Sequence, residues 1–580
     1  MSNYYSNERD ILELVSLLKE HHIHYAVISP GSTNISFAQS LLYGPDFKVF
    51  SAVDERSAAY MACGIAAETG EPVVISCTGA TAARNYVPAL TEAFYRKLPI
   101  LAVTSSQHFG RVGQYIPQVT DRTNPMNDIF VKSVQIPVAI RPEDKWANNL
   151  KMNDAILELS RNGGGPVLIN IETTFSKMFE VKELPEVRVI RRYTTDDVMP
   201  KIKAKKIIIF VGSHIEFDTG TREAIDRFCT AYNAVVVCDH TSNYKGKYRV
   251  LGGLTERQTG YHSVCQNADL IIHIGEMSGA YYRFEGIPVW RVNSDGEVRD
   301  PFKKLTKVFQ MSEKKFFSFY NRREKDPVEN TYLDEWRKNE EYLLSELKEL
   351  PFCNAWIAQQ TGPRLPEGSE IHFGILNSLR MWNCFELPAS VSGYCNVGGF
   401  GIDGCISTVL GASLVNDRKL YYLVLGDLAT FYDLNALGNR HMGSNVRILV
   451  VNNGVGFEMR HRDNRGDVFK EDANEIFAAG GHFGNKSRKV LKHFAEDLGF
   501  TYLTAETKEE YLQNLGRFTS KREAEDKPML FEVFVNVEDE YEAYEATRYA
   551  VKDKTSVAKT AVRSIIGEKG VETLKGILGK

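Results

Sequence analysis

The chain has no run approaching the roughly 18 apolar residues that a membrane-spanning helix requires, so no membrane span is expected. Its nine cysteines are odd in number and never spaced C-x-x-C. That argues against a zinc site or disulfide framework and for reduced thiols in a cytosol. Neither sign of charge dominates: the formal net charge is −4, which points to no nucleic acid and no anionic membrane as partner. The opening MSNYYSNERD lacks the basic-then-apolar order of a signal peptide, and a cytoplasmic protein is expected. Short repeats and low-complexity segments are missing too. What is present is an ordinary globular composition, 43% hydrophobic and 25% charged. The 580 residues give room for roughly three to four domains.

The chain is organised around residues 421–453. The apolar run Tyr421 to Leu425 reads as a buried parallel strand ending in Gly426-Asp427-Leu428. A helical pattern follows, then a second apolar run, Val446 to Val451, ends in Asn452-Asn453. Strand, helix and strand make a βαβ unit, so both strands point their carboxyl ends the same way. Asp427 and Asn453 are therefore expected side by side at the edge where open α/β sheets bind ligands. A carboxylate and an amide oxygen suit Mg²⁺ or Ca²⁺. The backbone N–H groups of Gly426, Leu428 and Ala429 can hold a phosphate. The plainer reading makes Asp427 a helix cap and the asparagines a turn.

The first domain, residues 1–185, alternates strand, turn and helix. Strands are predicted at 25–28, 48–51, 73–77, 100–104 and 166–171, and helices at 7–20, 57–69 and 82–94. That alternation gives a doubly wound parallel sheet. A second α/β unit is predicted over 190–335, with strands at 205–211, 234–238, 270–274 and 289–292. The charge-rich stretch 334–350 reads as a linker helix. A third α/β domain spans 355–549. Residues 550–580 form a basic tail with seven Lys/Arg against three acidic residues, read as a helix for packing or oligomer contact.

Gly426-Asp427 followed by Asn452-Asn453 resembles the motif by which thiamine-diphosphate (ThDP) enzymes hold their cofactor's diphosphate through Mg²⁺. Leu428, where most of that superfamily has a third small residue, and the following YDLNAL resemble the menaquinone-pathway synthases that add 2-oxoglutarate to isochorismate (SEPHCHC synthases). The segment Asp54-Glu55-Arg56-Ser57-Ala58 resembles the family's DERSA stretch. There the glutamate hydrogen-bonds the aminopyrimidine and drives it toward the imino base that activates the thiazolium. Taken from residues alone, Glu55 is also an ordinary first-turn acidic residue. The resemblance implies Glu55 as the catalytic residue. CTGATAARNYVPAL (77–90) is similar to the family's Gly/Thr-rich turn and implies Thr78 as a cofactor contact. Gln114 and Gln118 fall where relatives place a glutamine facing the reactive carbon, or else are solvated loop residues. The string SVSGYCNVGGFGIDGCISTVLGAS (390–413) resembles the loop that cups the cofactor rings, which implies Phe400, Gly401 and Ile402. The carbonyl of Val455 is implied as a third protein ligand of Mg²⁺.

The match departs at the substrate site. Thr33, in Pro30-Gly31-Ser32-Thr33-Asn34, stands where the synthases carry an arginine, and so does Val397. A bidentate arginine is not replaced by threonine or valine. Arg84 appears where the synthases have a small residue. Ser32, Arg84, Gln118, Arg283 and Glu458 are the candidate substrate residues, with a solvent-facing role the alternative for Arg283 and a mobile loop for Glu458 and His461. The resemblance implies three parallel-sheet domains: pyrimidine-binding, middle (structural in most relatives) and diphosphate-binding. It implies a ThDP- and Mg²⁺-dependent carboligase that decarboxylates a 2-oxo acid and adds the carbanion to an acceptor carbonyl or alkene. A simple 2-oxo acid decarboxylase and a non-catalytic ligand-binding paralogue are the alternatives. The adjacent histidine pair of pyruvate-decarboxylase-like enzymes is missing, since Gln107-His108 stands in the comparable region, and this favours ligation. A homodimer or homotetramer is expected.

Overall fold

A computed structural model describes residues 4–279, 284, 286–321, 329–482, 486–521 and 526–551. Arg283 and the tail from 552 onward lie outside the described residues, so the expectations placed on them are not addressed by it. Compactness divides the chain into two units, one of residues 1–200 and 288–311 and the other of 201–287 and 312–580.

The first unit is built on six parallel strands: β1 (Tyr25–Ile28), β2 (Lys48–Ser51), β3 (Val73–Thr78), β4 (Ile100–Ser106), β5 (Lys132–Ile136) and β6 (Val167–Glu172), in the order β2-β1-β3-β4-β6-β5. Alternate residues of each inner strand feed opposite cores. Val74, Leu101 and Val103 pack with the helices Arg9–Glu20 and Pro142–Glu158. Ile75, Cys77, Ile100 and Ala102 pack with Glu55–Thr69 and Val87–Arg96. All six residues of β3 are buried, as expected of a strand covered on both faces. Ile11, Leu14, Val15 and Leu18 form the predicted apolar stripe and are fully buried.

The middle α/β layer contributes strands to both units. β7 (Arg191–Tyr193), β12 (Val289–Asn293) and β13 (Leu305–Gln310) run parallel within the first, in the order β12-β13-β7. β8 (Ile207–Val211), β9 (Ala234–Cys238), β10 (Arg249–Leu251) and β11 (Leu270–Ile274) run parallel within the second, as β10-β9-β8-β11.

The second unit also holds the third sheet: β14 (Glu370–Phe373), β15 (Ser392–Cys395), β16 (Tyr421–Gly426), β17 (Val446–Asn452), β18 (Thr501–Ala505) and β19 (Met529–Phe534). Its order is β15-β14-β16-β17-β19-β18. Tyr421, Leu423 and Leu425 face one core and Tyr422 and Val424 the other. The expected α/β class, built on three parallel sheets, is therefore present.

Two predicted helices differ in form. The helix predicted over 82–94 is two helices, Thr81–Asn85 and Val87–Arg96, meeting at Tyr86. Pro88 has no N–H to donate backward and sits in the first turn of the second helix, where none is needed. After Asp427 the helix lasts only to Tyr432 and gives way to a tighter turn at Leu434–Gly438. Asp433 ends it by turning its carboxylate onto the backbone N–H and hydroxyl of Ser407, at 2.6 and 2.7 Å.

Candidate active site

β16 and β17 pair in parallel with Gly426 opposite Val451, so the residues that follow them emerge together. The backbone N–H groups of Asp427, Leu428 and Asn453 favour the charged form of the Asp427 carboxylate. It is 6% exposed. Burial outweighs those three donors and pushes its pKa up to about 7, and the nearby Glu532 adds to the rise. Among the described residues it forms no ion pair, and none of the main influences on it is a cation. A buried carboxylate whose only support is backbone N–H groups is costly to keep ionised. A divalent cation would remove that cost, so the donor set fits a metal.

The paired asparagines have different partners. Asn452 donates to Glu532 on β19 at 2.8 Å, and Glu532 also accepts the hydroxyl proton of Tyr502 at 2.7 Å. Asn453 points its amide oxygen into the turn, where it accepts the Val455 N–H at 3.1 Å. Gly454 makes that turn possible with φ of 77°. The chain thus doubles back at Val455, whose side chain is buried. Asp427, Asn453 and the Val455 backbone offer the oxygen types that Mg²⁺ takes. Among the described residues no cluster of three or more His, Cys, Asp or Glu is arranged to hold a metal.

Beyond the turn, Glu458 is gripped by Arg380 at 2.9 Å and by His461 at 3.0 Å. Although burial opposes it, these partners hold the Glu458 carboxyl below the usual range. His461 stacks on Tyr544 with centroids 4.5 Å apart. Glu458 and His461 thus sit in a partly buried network of ion-pair and ring contacts. In the glycine-rich loop, Phe400 takes a left-handed φ of 54°, and its N–H reaches the Asn396 carbonyl at 3.2 Å. Gly401 lies against the Asp403 carboxylate, which a Cβ would strike at 2.2 Å. Ile402 packs on the core beneath the helix Cys405–Ser413. Val397 is buried, and a Cβ on Gly279 would meet it at 2.8 Å.

The first unit presents a second set of strand ends. Asp54 caps the helix Glu55–Thr69 by accepting the Arg56 N–H at 2.9 Å. Glu55, one residue on, accepts the side-chain amide of Asn85 at 3.0 Å. Thr78 ends β3, and its hydroxyl is buried without a partner. That hydroxyl fills the space beside Gly31, where a Cβ would lie 2.1 Å away. Ser32 is exposed in the same turn. Thr33 turns inward, donating to the Ser105 carbonyl at 3.0 Å. Gln114, Gln118 and Arg84 are exposed, Arg84 on the short helix Thr81–Asn85. The sequence reading did not single out Arg122, whose guanidinium lies against Gly79 and donates to Asn170 at 2.5 Å. Nothing in Thr120-Asp121-Arg122-Thr123 marks it beforehand, because its burial comes from a loop folding back on the sheet.

The folded geometry thus brings Asp427, Leu428, Asn453 and the Val455 turn together, and separately Thr78, Gly31 and Arg122. Comparison with known proteins adds the family. Residues 13–125 match the family described as thiamine pyrophosphate enzyme, N-terminal TPP binding domain. A 2-succinyl-5-enolpyruvyl-6-hydroxy-3-cyclohexene-1-carboxylate synthase of Bacteroides thetaiotaomicron is 31% identical, covering 92% of this chain and 97% of its own. The synthase of Phocaeicola vulgatus is 30% identical over 95% and 100%. That of Flavobacterium johnsoniae is 25% identical over 90% and 95%. With relatives of that identity running almost end to end, this chain belongs to the ThDP-dependent enzyme family of these synthases, and its activity is of the decarboxylating carboligase type.

Proposed function

We propose that the chain is a ThDP- and Mg²⁺-dependent carboligase that decarboxylates a 2-oxo acid and joins the resulting carbanion to an acceptor carbonyl or alkene. The observation that carries the metal is Asp427, a buried carboxylate favoured in its charged form by nearby backbone N–H groups and in no ion pair among the described residues. Asp427, the Asn453 amide oxygen and the Val455 carbonyl would hold Mg²⁺. The backbone from Gly426 through Leu428 to Ala429 would receive the diphosphate at a helix start. When bound, the cofactor supplies an electron sink for loss of CO₂.

The remaining roles fall to this chain's own groups. Glu55 would hold a proton against the aminopyrimidine, with Asn85 fixing its orientation. Thr78, Phe400, Gly401 and Ile402 would contact the cofactor rings. Gln114 would face the reacting carbon. Ser32, Arg84, Gln118 and Glu458 are the proposed substrate contacts, and Arg283 remains a candidate from sequence alone. Glu458 would act through the fixed position that Arg380 and His461 give it.

The substrate is proposed to differ from that of the synthases. Thr33 is buried and its hydroxyl is spent on a backbone carbonyl, while Val397 is buried among apolar groups. Neither offers a charge to an acid. A three-domain division at 1–185, 190–335 and 355–549, a homodimeric or homotetrameric assembly and a cytoplasmic location complete the reading. Calorimetry with ThDP, with and without Mg²⁺, tests the cofactor. Product analysis with pyruvate or 2-oxoglutarate, with and without an aldehyde acceptor, tests ligation. Uptake of no ThDP with Mg²⁺ supplied overturns the reading, and CO₂ release without coupled product would make the chain a simple decarboxylase.

A further inference from the structure

We infer that Arg122, with Arg84 beside it, is an anion subsite at the carboxyl edge of the first sheet and takes a carboxylate of the substrate. This rests on the proposed function and assigns to that site a recognition residue that the lost arginines at Thr33 and Val397 would otherwise leave missing.

Arg122 lies over the tip of β3. A Cβ on Gly79 would meet its guanidinium at 2.3 to 2.5 Å, so the glycine is what admits the side chain. Its hydrogen bonds go to neutral groups: the Asn170 amide oxygen at 2.5 Å and the Thr120 hydroxyl at 3.4 Å. Its Nε is buried with no partner. Among the described residues no carboxylate lies within ion-pair distance of it, unlike two other inward-facing arginines of this unit. Arg188 pairs with Asp300 at 2.5 Å and Arg192 with Glu158 at 3.0 Å.

The groups that could neutralise Arg122 are otherwise engaged. Asp121 is exposed and accepts both the N–H and the hydroxyl of Thr123, at 2.9 and 2.6 Å. Glu55 is held by Asn85. The Cys77 thiol, pushed up to about 12 by burial, is no anion at neutral pH. Burial above all, with the like-signed Arg84 adding to it, drives Arg122 down to about 10 against the opposing pull of Cys77 and the exposed Asp121. Two guanidinium groups with no ion pair among the described residues, one of them largely withdrawn from water, are destabilising unless an anion joins them.

The surroundings suit a carboxylate. Thr78 and Ser105 present buried hydroxyls without partners at the ends of β3 and β4. A planar carboxylate can take two parallel N–H donors from one guanidinium, with a hydroxyl completing its shell. A purely structural Arg122 would need only the tie to Asn170, for which a neutral amide would serve without burying charge.

The test uses the full chain loaded with ThDP and Mg²⁺. Pyruvate, 2-oxoglutarate, succinate and isochorismate are titrated calorimetrically, each beside its methyl ester. At least one acid should bind more tightly than its ester to the parent protein. Arg122→Gln should weaken that acid about tenfold or more, as expected for loss of a charge-assisted pair. It should leave the ester and ThDP affinities within about twofold. Arg84→Gln, farther out in solvent, should cost about threefold. If Arg122→Gln does not fold, Arg122→Lys carries the test: it keeps the charge but loses the fork, and should weaken the acid about threefold or more. Equal loss for acid and ester, loss of ThDP uptake in the variant, or no acid preferred over its ester overturns the subsite alone. A parent protein that takes up no ThDP overturns the underlying reading and the subsite with it.

Discussion

The first and third sheets share one strand order. Counted along the chain within each sheet, both run 2-1-3-4-6-5. Thr78-Gly79 after β3 and Gly426-Asp427 after β16 therefore occupy equivalent strand ends. Their electrostatics are opposite. Among the described residues, the third sheet's edge buries a carboxylate that forms no ion pair, and the first sheet's edge half-buries a guanidinium that forms none. Topology supplies the place in both cases, since ligands gather at the carboxyl ends of open parallel sheets. The side chain set there decides what the place will hold. On the proposed reading, one edge would hold a cation with its diphosphate, and the other an organic anion beside the proton relay at Glu55.

The largest expected effect breaks the comparison at the first edge. Glu55→Gln keeps the size of the side chain and its contact with Asn85 but cannot share a proton, so kcat should fall by about 10³-fold. ThDP affinity should stay within a few-fold by calorimetry. Normal turnover in that variant would remove Glu55 from the mechanism.

At the other edge, Asp427→Asn should weaken Mg²⁺-supported ThDP binding by about 100-fold or more. The same change should leave the melting temperature of the cofactor-free protein unchanged or higher, because it removes a buried charge without a partner. A helix-cap role alone would give the reverse, with lower stability and intact cofactor binding. Chelation with EDTA should release ThDP from the parent protein in the same way.

Packing of the third sheet can be weakened without touching its edge chemistry. Leu423→Ala removes a fully buried side chain from the centre of β16 and should cost about 2–5 kcal/mol in urea unfolding. Cofactor affinity, measured where the protein is still folded, should change far less than in Asp427→Asn.

The smallest effect concerns pH. In the first unit, burial holds His21 down at about 4, against an ordinary value of 6.5. The unfolded chain protonates first, so this contribution is complete above pH 6.5 and is lost as pH falls toward 4. In the second unit, burial raises Glu540 to about 7 from 4.5, despite hydrogen bonds from the Asn354 N–H and the Asn377 amide. Its contribution is complete below pH 4.5 and is lost as pH rises through 7. Each is worth up to about 3 kcal/mol. Hydrogen exchange at pH 5 and pH 7 should therefore show the helix Arg9–Glu20 less protected in acid, relative to the helix Val537–Arg548. His21→Asn should abolish the first trend.

The inner strands were legible because they are short apolar runs bounded by turns. β1 and β2 match their predicted ranges, and β3, β4 and β17 extend them by one or two residues. β5, β14, β15, β18 and β19 were not read, since polar residues such as Gln135, His372 and Glu532 interrupt their patterns. Those residues are tolerated because folding gives them partners: Glu370 for His372 at 2.9 Å, and Asn452 and Tyr502 for Glu532. The adjacency of Asp427 and Asn453 was legible from the βαβ spacing. Asn452 and Asn453 taking separate jobs was not, because it depends on which way each amide faces.

The sequence by itself determined the α/β class, the strand ends where ligands gather and the residues that resemble the ThDP motif. These are local properties: apolar periodicity, glycine at tight turns and the spacing of Asp427 from Asn453. Only the tertiary structure decided the charges. It buried Asp427 with no ion pair among the described residues, turned Thr33 inward and laid Arg122 over Gly79. Burial and the company of other charges are set by segments far apart in the chain, so desolvation appears only when they meet.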